Sequence, residues 1–342
     1  MALSLLFICF LMTSINIWWT VLGSRVRHVK KGNRLVTNAH DRVKMLPIGN
    51  NPSVAMGWLA FVRGSLLGLA LIFMSGVGLA EETPSPPLRF GITGVIVQDQ
   101  HRLLEDWRDY LAARIGRPVA FVSRDRYTDT LDMLRHDKLE AAWLSDYPYI
   151  LARRQVRLVA IPVYQGKPVY RAYLIVPARD KTTRSILDLR GTVFAYADTI
   201  SHTGYLVPRY ELAQAGKKPG SFFRKTFFTW GHHNSVEAVA AGLADGAYVD
   251  SYVWDSMQKI SPKVTSQTRI VSRSSDYAFP PIVVSRSLPA DDFRRFQAAM
   301  LGMSTDPAGR KLLEKLNLDG FALGKPESYD PVEKMMHAVG DK

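Results

Sequence analysis

The sequence predicts an α/β protein with two lobes, each built around a β-sheet. From Leu88 onward, short apolar stretches typical of buried strands alternate with stretches in which apolar residues recur every three or four positions, as on one face of a helix. The clearest helix is "HRLLEDWRDYLAARIG", which begins at His101 and ends at Gly116, a residue type that commonly terminates helices. Because strands and helices alternate, we expect mostly parallel sheets.

The alternation falls into two groups of strands. The first group comprises "LRFGIT", "PVAFVS", "LEAAWLS", "RLVAIPVY" and "YRAYLIVP". A second group begins near "SILDLRGTVFAYAD" and runs through "AYVDS" to "TRIVSRS", and the strand in "PPIVVSRSLP" is expected to return to the first group with the terminal helices. We therefore predict that residues 88–178 and 275–342 form lobe 1 and that residues 179–274 form lobe 2.

The first 80 residues have the pattern of export signals. Residues 56–80 contain one arginine, an apolar run and a small-residue end at Ala80, which is the layout of a secretory signal peptide. An uncleaved membrane anchor is the alternative. Residues 1–55 hold another apolar run and a basic segment, and we interpret them as an over-extended reading frame before a natural start at Met56, or as an extra membrane segment. Either start predicts export to the periplasm.

Charge and cysteine content exclude several classes of function. The formal charge is +13, but residues 1–80 carry eight Lys and Arg side chains against one acid, so the basic character is concentrated there and does not support a nucleic-acid partner. Cys9 is the only cysteine, so the exported part has no disulfide, no thiol nucleophile and no thiolate metal ligand.

A cluster of small polar residues lies where a strand passes into a helix. Ser201, His202, Thr203 and Gly204 follow the apolar stretch "TVFAYA" and precede a helical pattern. Ligands of open α/β sheets bind at the carboxyl ends of strands, where the N–H groups of a helix's first turn attract anions. These residues therefore predict an anion cradle, in which Gly204 lets the backbone approach the ligand. Ordinary capping of the helix is an equal alternative.

A second strand-to-helix junction carries two histidines. In "TWGHHNSVEAVAAG", His232 and His233 follow Gly231 and enter a helix. A histidine at this place can donate a hydrogen bond to an anion, or it can be a buried structural residue. A metal site is the weakest interpretation, because adjacent side chains diverge and no further ligand follows at the required spacing. We therefore predict no metal and no cofactor.

Asp250 ends the apolar strand "GAYVD" and precedes a helical pattern. Its carboxylate can hold a donor group of a ligand, but capping of the following helix is favoured on sequence alone. No Walker loop, Gly-x-Ser-x-Gly elbow or zincin motif is present. The residue types allow a catalytic triad of Ser201, His233 and Asp250, but nothing in the sequence supports its geometry. The sequence therefore predicts binding without catalysis.

Several of these segments, taken in order, resemble the periplasmic substrate-binding proteins of phosphonate, phosphite and phosphate-type ABC transporters. The resemblance spans "RFGIT" to "YDPVEKM" and rests on "DLRGTVFAYADTISHTGYLVPRYEL", "GHHNSVEAVAAGLADGAYVDSYVWD" and "FPPIVVSRSLP" followed by "DPAGRKLLEKLNLDGF". It implies the two-lobed fold of type II periplasmic binding proteins, with a hinge between the lobes that closes on the ligand.

The resemblance also implies a set of ligand-binding residues. These are Ser201, His202, Thr203, Gly204, His233, Asp250, Tyr127 and Tyr170. The first four match the Ser-Thr-Ser-Gly turn that holds the phosphonate oxygens in this family. The sequence departs from the pattern at His202, where a larger, titratable donor replaces a small hydroxyl residue.

We therefore predict a monomeric periplasmic solute-binding protein that binds a small phosphonate- or phosphate-like oxyanion and delivers it to an ABC permease in the inner membrane. One alternative is the same module acting as the ligand-binding partner of a membrane sensor kinase. A second alternative is an exported hydrolase that uses His232, His233 and Asp250.

Overall fold

A computed structural model of the protein describes residues 85–93 and 101–341. The segments interpreted as a signal peptide (56–80) and as an over-extended N-terminus (1–55) lie outside the described residues, so these interpretations stay predictions. No helix in the described part of the chain is both long and apolar enough to cross a membrane.

The described residues alternate between strands and helices, as the sequence predicts. The strands are β1 (Leu88–Ile92), β2 (Val119–Ser123), β3 (Ala141–Trp143), β4 (Val156–Val163), β5 (Val169–Tyr170), β6 (Ala172–Pro177), β7 (Val193–Tyr196), β8 (Lys225–Phe228), β9 (Gly246–Asp250), β10 (Thr268–Arg273), β11 (Tyr277–Ala278), β12 (Ile282–Ser285) and β13 (Gly320–Ala322). The α-helices are α1 (His101–Ile115), α2 (Tyr127–Arg135), α3 (Asp146–Ala152), α4 (Val207–Gln214), α5 (Pro219–Phe222), α6 (His232–Ala240), α7 (Ser251–Ile260), α8 (Pro262–Thr265), α9 (Ala290–Leu301), α10 (Pro307–Leu316) and α11 (Asp330–Ala338). Shorter 3-10 turns occur at Ile186–Leu189, Gly302–Ser304 and Pro326–Tyr329, and a π-turn occurs at His202–Leu206.

The first lobe is built on a six-stranded sheet with the order β13-β4-β12-β3-β1-β2. Strand β1 pairs in parallel with β2 and β3, whereas β12 is antiparallel to β3 and β4. Helix α1 packs its apolar face on this sheet, and Trp107 meets Phe90 and Trp143 edge to face inside a fully buried aromatic cluster. The helical spacing that predicts α1 therefore corresponds to its buried face.

The second lobe is built on a five-stranded sheet with the order β10-β6-β9-β7-β8. Strand β7 pairs in parallel with β8 and β9, while β6 runs antiparallel to β9 and β10. The expectation of mostly parallel sheets is therefore corrected, because both sheets are mixed. Strands β6 and β12 come directly after the crossing strands β5 and β11 and are antiparallel to their neighbours, since they do not arrive through a helix as parallel neighbours must. The edge strand β13 is antiparallel to β4.

The chain passes between the two sheets through a short antiparallel ribbon. Strands β5 and β11 pair with each other, and Tyr277 lies opposite Tyr170. Strand β6 follows β5 directly and already belongs to the second sheet. The predicted boundaries, residues 88–178 and 275–342 for lobe 1 and residues 179–274 for lobe 2, stay predictions. The apolar pattern of β6 shows that the strand is buried but not in which sheet it lies.

Candidate functional site

Apart from Tyr170, which lies on β5 of the antiparallel ribbon, the predicted site residues lie at or just after the carboxyl ends of parallel strands in both lobes. Helices α2 and α3 begin after β2 and β3 in the first lobe, and α6 and α7 begin after β8 and β9 in the second. The π-turn follows β7 in the same way. In this position several helix starts converge on one buried region, which is the placement that the sequence predicts.

Ser201 organises the turn after β7. It takes the extended N-cap conformation, and its hydroxyl oxygen accepts a hydrogen bond from the Gly204 N–H at 3.1 Å. The Leu206 N–H donates to the Ser201 carbonyl at 3.0 Å, which makes the first turn a wide π-turn before α4 continues. The capping role that the sequence allowed is therefore present, and Ser201, His202 and Thr203 are all buried.

Gly204 is where the turn packs against the end of β7. A Cβ atom at this position would lie 2.4 Å from the Cβ of Ala197 and 3.0 Å from Cε1 of His232. No side chain fits there without moving the strand or the histidine. The glycine is therefore required by close packing inside the site.

His232 links the turn to the end of β9. The Asp250 N–H donates to Nδ1 of His232 at 3.2 Å, and Nε2 of the same ring lies 3.3 Å from the Ser201 hydroxyl oxygen. Burial lowers the pKa of His232 to about 3, and the neighbouring His233 and His202 act in the same direction. The ring is therefore neutral, with its lone pair on Nδ1 and its proton on Nε2.

This arrangement determines what the Ser201 hydroxyl can do. Its oxygen accepts one hydrogen bond from Gly204 and one from Nε2 of His232, which uses both lone pairs. The remaining function of the hydroxyl is to donate its proton. The site therefore presents a pre-aimed donor of the kind that binds an anion.

His202 reaches across the boundary between the lobes. Its backbone N–H donates to the Ser145 hydroxyl at 3.2 Å, and Nδ1 of its ring lies 2.6 Å from Oδ2 of Asp146 at the start of α3. The Tyr170 hydroxyl donates to the same carboxylate oxygen at 2.8 Å and lies 3.0 Å from Nδ1. Both His202 and Asp146 have fully buried side chains. Burial raises the pKa of Asp146, and the hydrogen bond from His202 opposes this.

Tyr127 connects the start of α2 in the first lobe with the second lobe through a hydrogen bond. Its backbone N–H donates to Oδ2 of Asp198 at 3.0 Å. Burial raises the pKa of Tyr127 well above its ordinary value, and the carboxyl groups of Asp198 and Asp250 add to this effect, so the phenol keeps its proton. Tyr127 is therefore a second buried hydroxyl donor beside the acids of the site.

Asp250 caps α7, as the sequence favours. Its Oδ1 accepts from the N–H groups of Tyr252 at 2.7 Å and Val253 at 3.3 Å. Burial raises the pKa of Asp250 to about 8, partly opposed by these backbone bonds and supported by Asp146 and Asp255. At neutral pH the group is mostly protonated and adds little negative charge to the site.

The same contacts argue against a serine–histidine–aspartate relay through His232. In such a relay Nδ1 donates to the carboxylate, and Nε2 accepts the proton of the serine. Here Nδ1 accepts from the Asp250 backbone and Nε2 donates to Ser201, which is the opposite polarity. His233 follows in α6 and is also buried.

Three polar atoms in this region point to a ligand. Within the described residues, Oδ1 of Asp146, Nε2 of His202 and the hydroxyl of Tyr127 are buried without a hydrogen-bond partner. Buried polar groups in native proteins are almost always bonded, so these atoms fit a site that encloses a small polar molecule. No group of three or more His, Cys, Asp or Glu side chains arranged to hold a metal occurs among the described residues.

Two mixed α/β sheets joined by a double crossing define the class of protein, and comparison with solved structures agrees. A binding protein component of an ABC phosphonate transporter from Pseudomonas aeruginosa superposes with a TM-score of 0.69 at 21% identity, over 74% of this chain and 86% of that one. PhnD1 from Prochlorococcus marinus (MIT 9301), in complex with methylphosphonate, gives 0.68 at 18% identity, over 75% and 98%. The predicted type II periplasmic binding protein fold is confirmed.

The family follows from the sequence itself. The model of phosphonate ABC-transporter periplasmic substrate-binding proteins matches residues 93–329. The probable ABC transporter phosphite binding protein PhnD1 of Prochlorococcus marinus (strain MIT 9301) is 21% identical over 238 residues, which are 66% of this chain and 80% of that protein. The chain belongs to the family of periplasmic substrate-binding proteins of phosphonate ABC transporters. This membership confirms the prediction of a substrate-binding protein rather than an enzyme.

Sequence reasoning missed two contributors to the site. Asp146 follows the strand "AAW" at a helix start, the same kind of junction that identified Ser201, so this signal was available in the sequence. His232 is not among the ligand-binding residues that the sequence predicts, and its tautomer depends on a backbone group 18 residues away.

Proposed function

We propose that this protein is the periplasmic solute-binding component of an ABC importer, and that it captures a small phosphorus oxyanion of the phosphonate or phosphate kind. The ligand oxygens are received by the turn that begins at Ser201, with His202, Thr203, Gly204 and residues of both lobes around them. The lobes close over the ligand, and a permease in the inner membrane accepts it.

The observation that carries this proposal is the state of the Ser201 hydroxyl. Because Gly204 and His232 occupy its lone pairs, the hydroxyl is held as a donor in a fully buried place. Donors that bind an anion are strongest when they are pre-aimed and shielded from water. A phosphonate or phosphate offers several acceptor oxygens to such donors, including the Tyr127 hydroxyl and the ring of His202.

Tyr170, His233 and Asp250 complete the proposed site. The Tyr170 hydroxyl fixes Asp146, and the protonated Asp250 carboxyl can donate to a ligand oxygen without repelling it. His233 lies next to His232 at the start of α6. The proposed protein works as a monomer without a cofactor, and it reaches the periplasm through the signal peptide proposed at residues 56–80.

Calorimetric titration with phosphate, phosphite, methylphosphonate, 2-aminoethylphosphonate and sulfate tests the proposal. Binding of at least one phosphorus compound with a dissociation constant of about 1 μM or tighter is the expected result. Absence of binding by every phosphorus compound contradicts the proposed ligand class. A permease gene and an ATPase gene beside this one are expected for an importer, whereas a histidine kinase gene alone would favour the sensor-partner alternative.

A further inference from the structure

His202 and Asp146 form a buried pair that joins the two lobes inside the proposed site. Nδ1 of His202 and Oδ2 of Asp146 are 2.6 Å apart, and neither side chain is exposed. The second carboxylate oxygen of Asp146 and Nε2 of His202 have no hydrogen-bond partner within the described residues. An ionisable pair of this kind is costly to bury unless its remaining atoms are also satisfied.

The contacts assign the atoms of the ring. When Asp146 is ionised, its carboxylate only accepts hydrogen bonds, so Nδ1 of His202 carries a proton and donates it to Oδ2. The Tyr170 hydroxyl donates to the same oxygen, which fixes the carboxylate from the second side. Nε2 is therefore the atom of His202 that is left for a ligand. It accepts a hydrogen bond when the ring is neutral, and it donates one when the ring is charged.

We propose that Asp146 is a positioning residue that acts through His202, and that ligand capture takes up one proton, which is held between Nε2 of His202 and a ligand oxygen. This inference rests on the proposed function, because it requires an oxyanion at the turn. In the proposed unliganded state the pair carries one negative charge, on Asp146. A bare dianion would add two more charges beside it. With one proton taken up, the imidazolium lies between the carboxylate and the ligand and balances part of both charges.

Among the ionisable groups around the proposed site, His202 is the one that can take up the proton. They come from five elements: Asp146 on α3, Tyr170 on β5, Tyr277 on β11, His232 on α6 and Asp250 at the end of β9. Burial lowers the pKa of His232 to about 3, so this ring stays neutral. Burial raises the pKa of both tyrosines, so they stay protonated. Asp250, with a pKa of about 8, already holds its proton at neutral pH.

A measurement of proton uptake on ligand binding tests this proposal directly. Methylphosphonate is titrated into the protein at neutral pH in two buffers that differ in ionisation enthalpy. After correction for the proton that the monoanionic fraction of the ligand already carries, the complex is expected to hold about one proton more than the free protein and the dianion together. The dissociation constant, calculated from the concentration of the dianionic ligand, is then expected to rise about tenfold for each unit by which the pH is raised.

The decisive variants are Asp146→Asn and His202→Thr. Asparagine keeps the volume of Asp146 and an oxygen that accepts from Nδ1, but it removes the charge that favours an imidazolium. Both variants are expected to lose most of the proton uptake and to bind methylphosphonate at least tenfold more weakly at neutral pH. A His202→Thr/Asp146→Asn double variant avoids leaving an unpaired buried carboxylate, should His202→Thr alone not fold. Asp255→Asn is the matched control, because the Asp255 carboxylate accepts from Tyr164 instead of His202.

The outcomes separate the inference from the function on which it rests. Full proton uptake in folded Asp146→Asn protein would overturn the inference. Tight binding without proton uptake in the unaltered protein would also overturn it and would leave the proposed function standing. Failure of every phosphorus compound to bind would overturn both.

Discussion

The imidazole of His232 joins the Ser201 hydroxyl to the backbone of Asp250. Nε2 lies 3.3 Å from the serine oxygen, and Nδ1 accepts from the Asp250 N–H at 3.2 Å. The ring thereby connects two helix starts of the second lobe and fixes the direction of the serine hydroxyl. Because burial keeps the ring neutral, its role is to orient a donor, and it adds no charge to the site.

The two nitrogens of His232 can be tested separately. His232→Gln places an amide N–H near the position of Nε2, whereas His232→Asn keeps an acceptor near Nδ1 and loses the donor to Ser201. We expect the Gln variant to weaken ligand binding less than tenfold and the Asn variant ten- to a hundredfold, which is roughly the worth of a hydrogen bond to a charged group. Calorimetric titration measures both. Equal losses in the two variants would contradict the assigned tautomer.

Removal of the Ser201 hydroxyl is expected to weaken binding strongly. Ser201→Ala deletes the donor and also the cap on the Gly204 N–H, which costs about 1 kcal/mol of stability. We expect a loss of affinity of roughly ten- to a hundredfold, and a larger loss when Thr203→Ala is added. Ser221→Ala, at an exposed serine of the same lobe, is the control and should bind normally. Unchanged binding by the folded double variant would rule out this turn as the site.

Gly204 is expected to tolerate no side chain. Gly204→Ala places a Cβ 2.4 Å from that of Ala197, so the turn or the strand end must shift, at a cost of about 1–3 kcal/mol. Binding should weaken as well, because the shift displaces His232. Gly220→Ala is the matched control, since a Cβ there meets nothing within 4 Å. Urea unfolding of the two variants should differ by the stated amount, and equal stabilities would contradict the observed packing.

Asp250 should make stability depend on pH in a defined direction. Its pKa is raised to about 8 in the folded protein, so the folded state holds a proton that the unfolded chain releases. Its contribution to stability is therefore complete at low pH and is lost as the pH rises from about 4 to about 8. Asp250→Asn keeps a capping oxygen for α7 and removes this titration.

The comparison of the two proteins isolates this effect. Relative to the unaltered protein, Asp250→Asn should gain about 1.4 kcal/mol in free energy of unfolding for each pH unit in that window. Urea unfolding at pH 5, 6, 7 and 8 measures the difference. Parallel stability curves would show that the carboxyl group is ionised in the folded protein.

The sequence predicts the parts of this molecule that depend on local pattern. Helix α1 and the cap at Ser201 follow from spacing and residue type within a few positions. The lobe to which β6 belongs does not, because an apolar run indicates burial and not the neighbouring strand. The contact between Asp146 and His202 joins residues 56 positions apart, and the sequence around either residue does not indicate the other as its partner. The sheet to which β6 belongs and this contact are therefore known only from the tertiary structure.

The most direct measurement is a crystal structure of the protein with methylphosphonate. The account predicts a phosphonate oxygen within hydrogen-bond distance of the Ser201 hydroxyl, with Nε2 of His202 facing the same group. A ligand bound elsewhere would contradict it. The clearest such place is a surface groove of the second lobe, beside the edge strand β8, which Arg224 and Lys225 line. There, these two cationic side chains would bind the anion without any contact to the turn at Ser201.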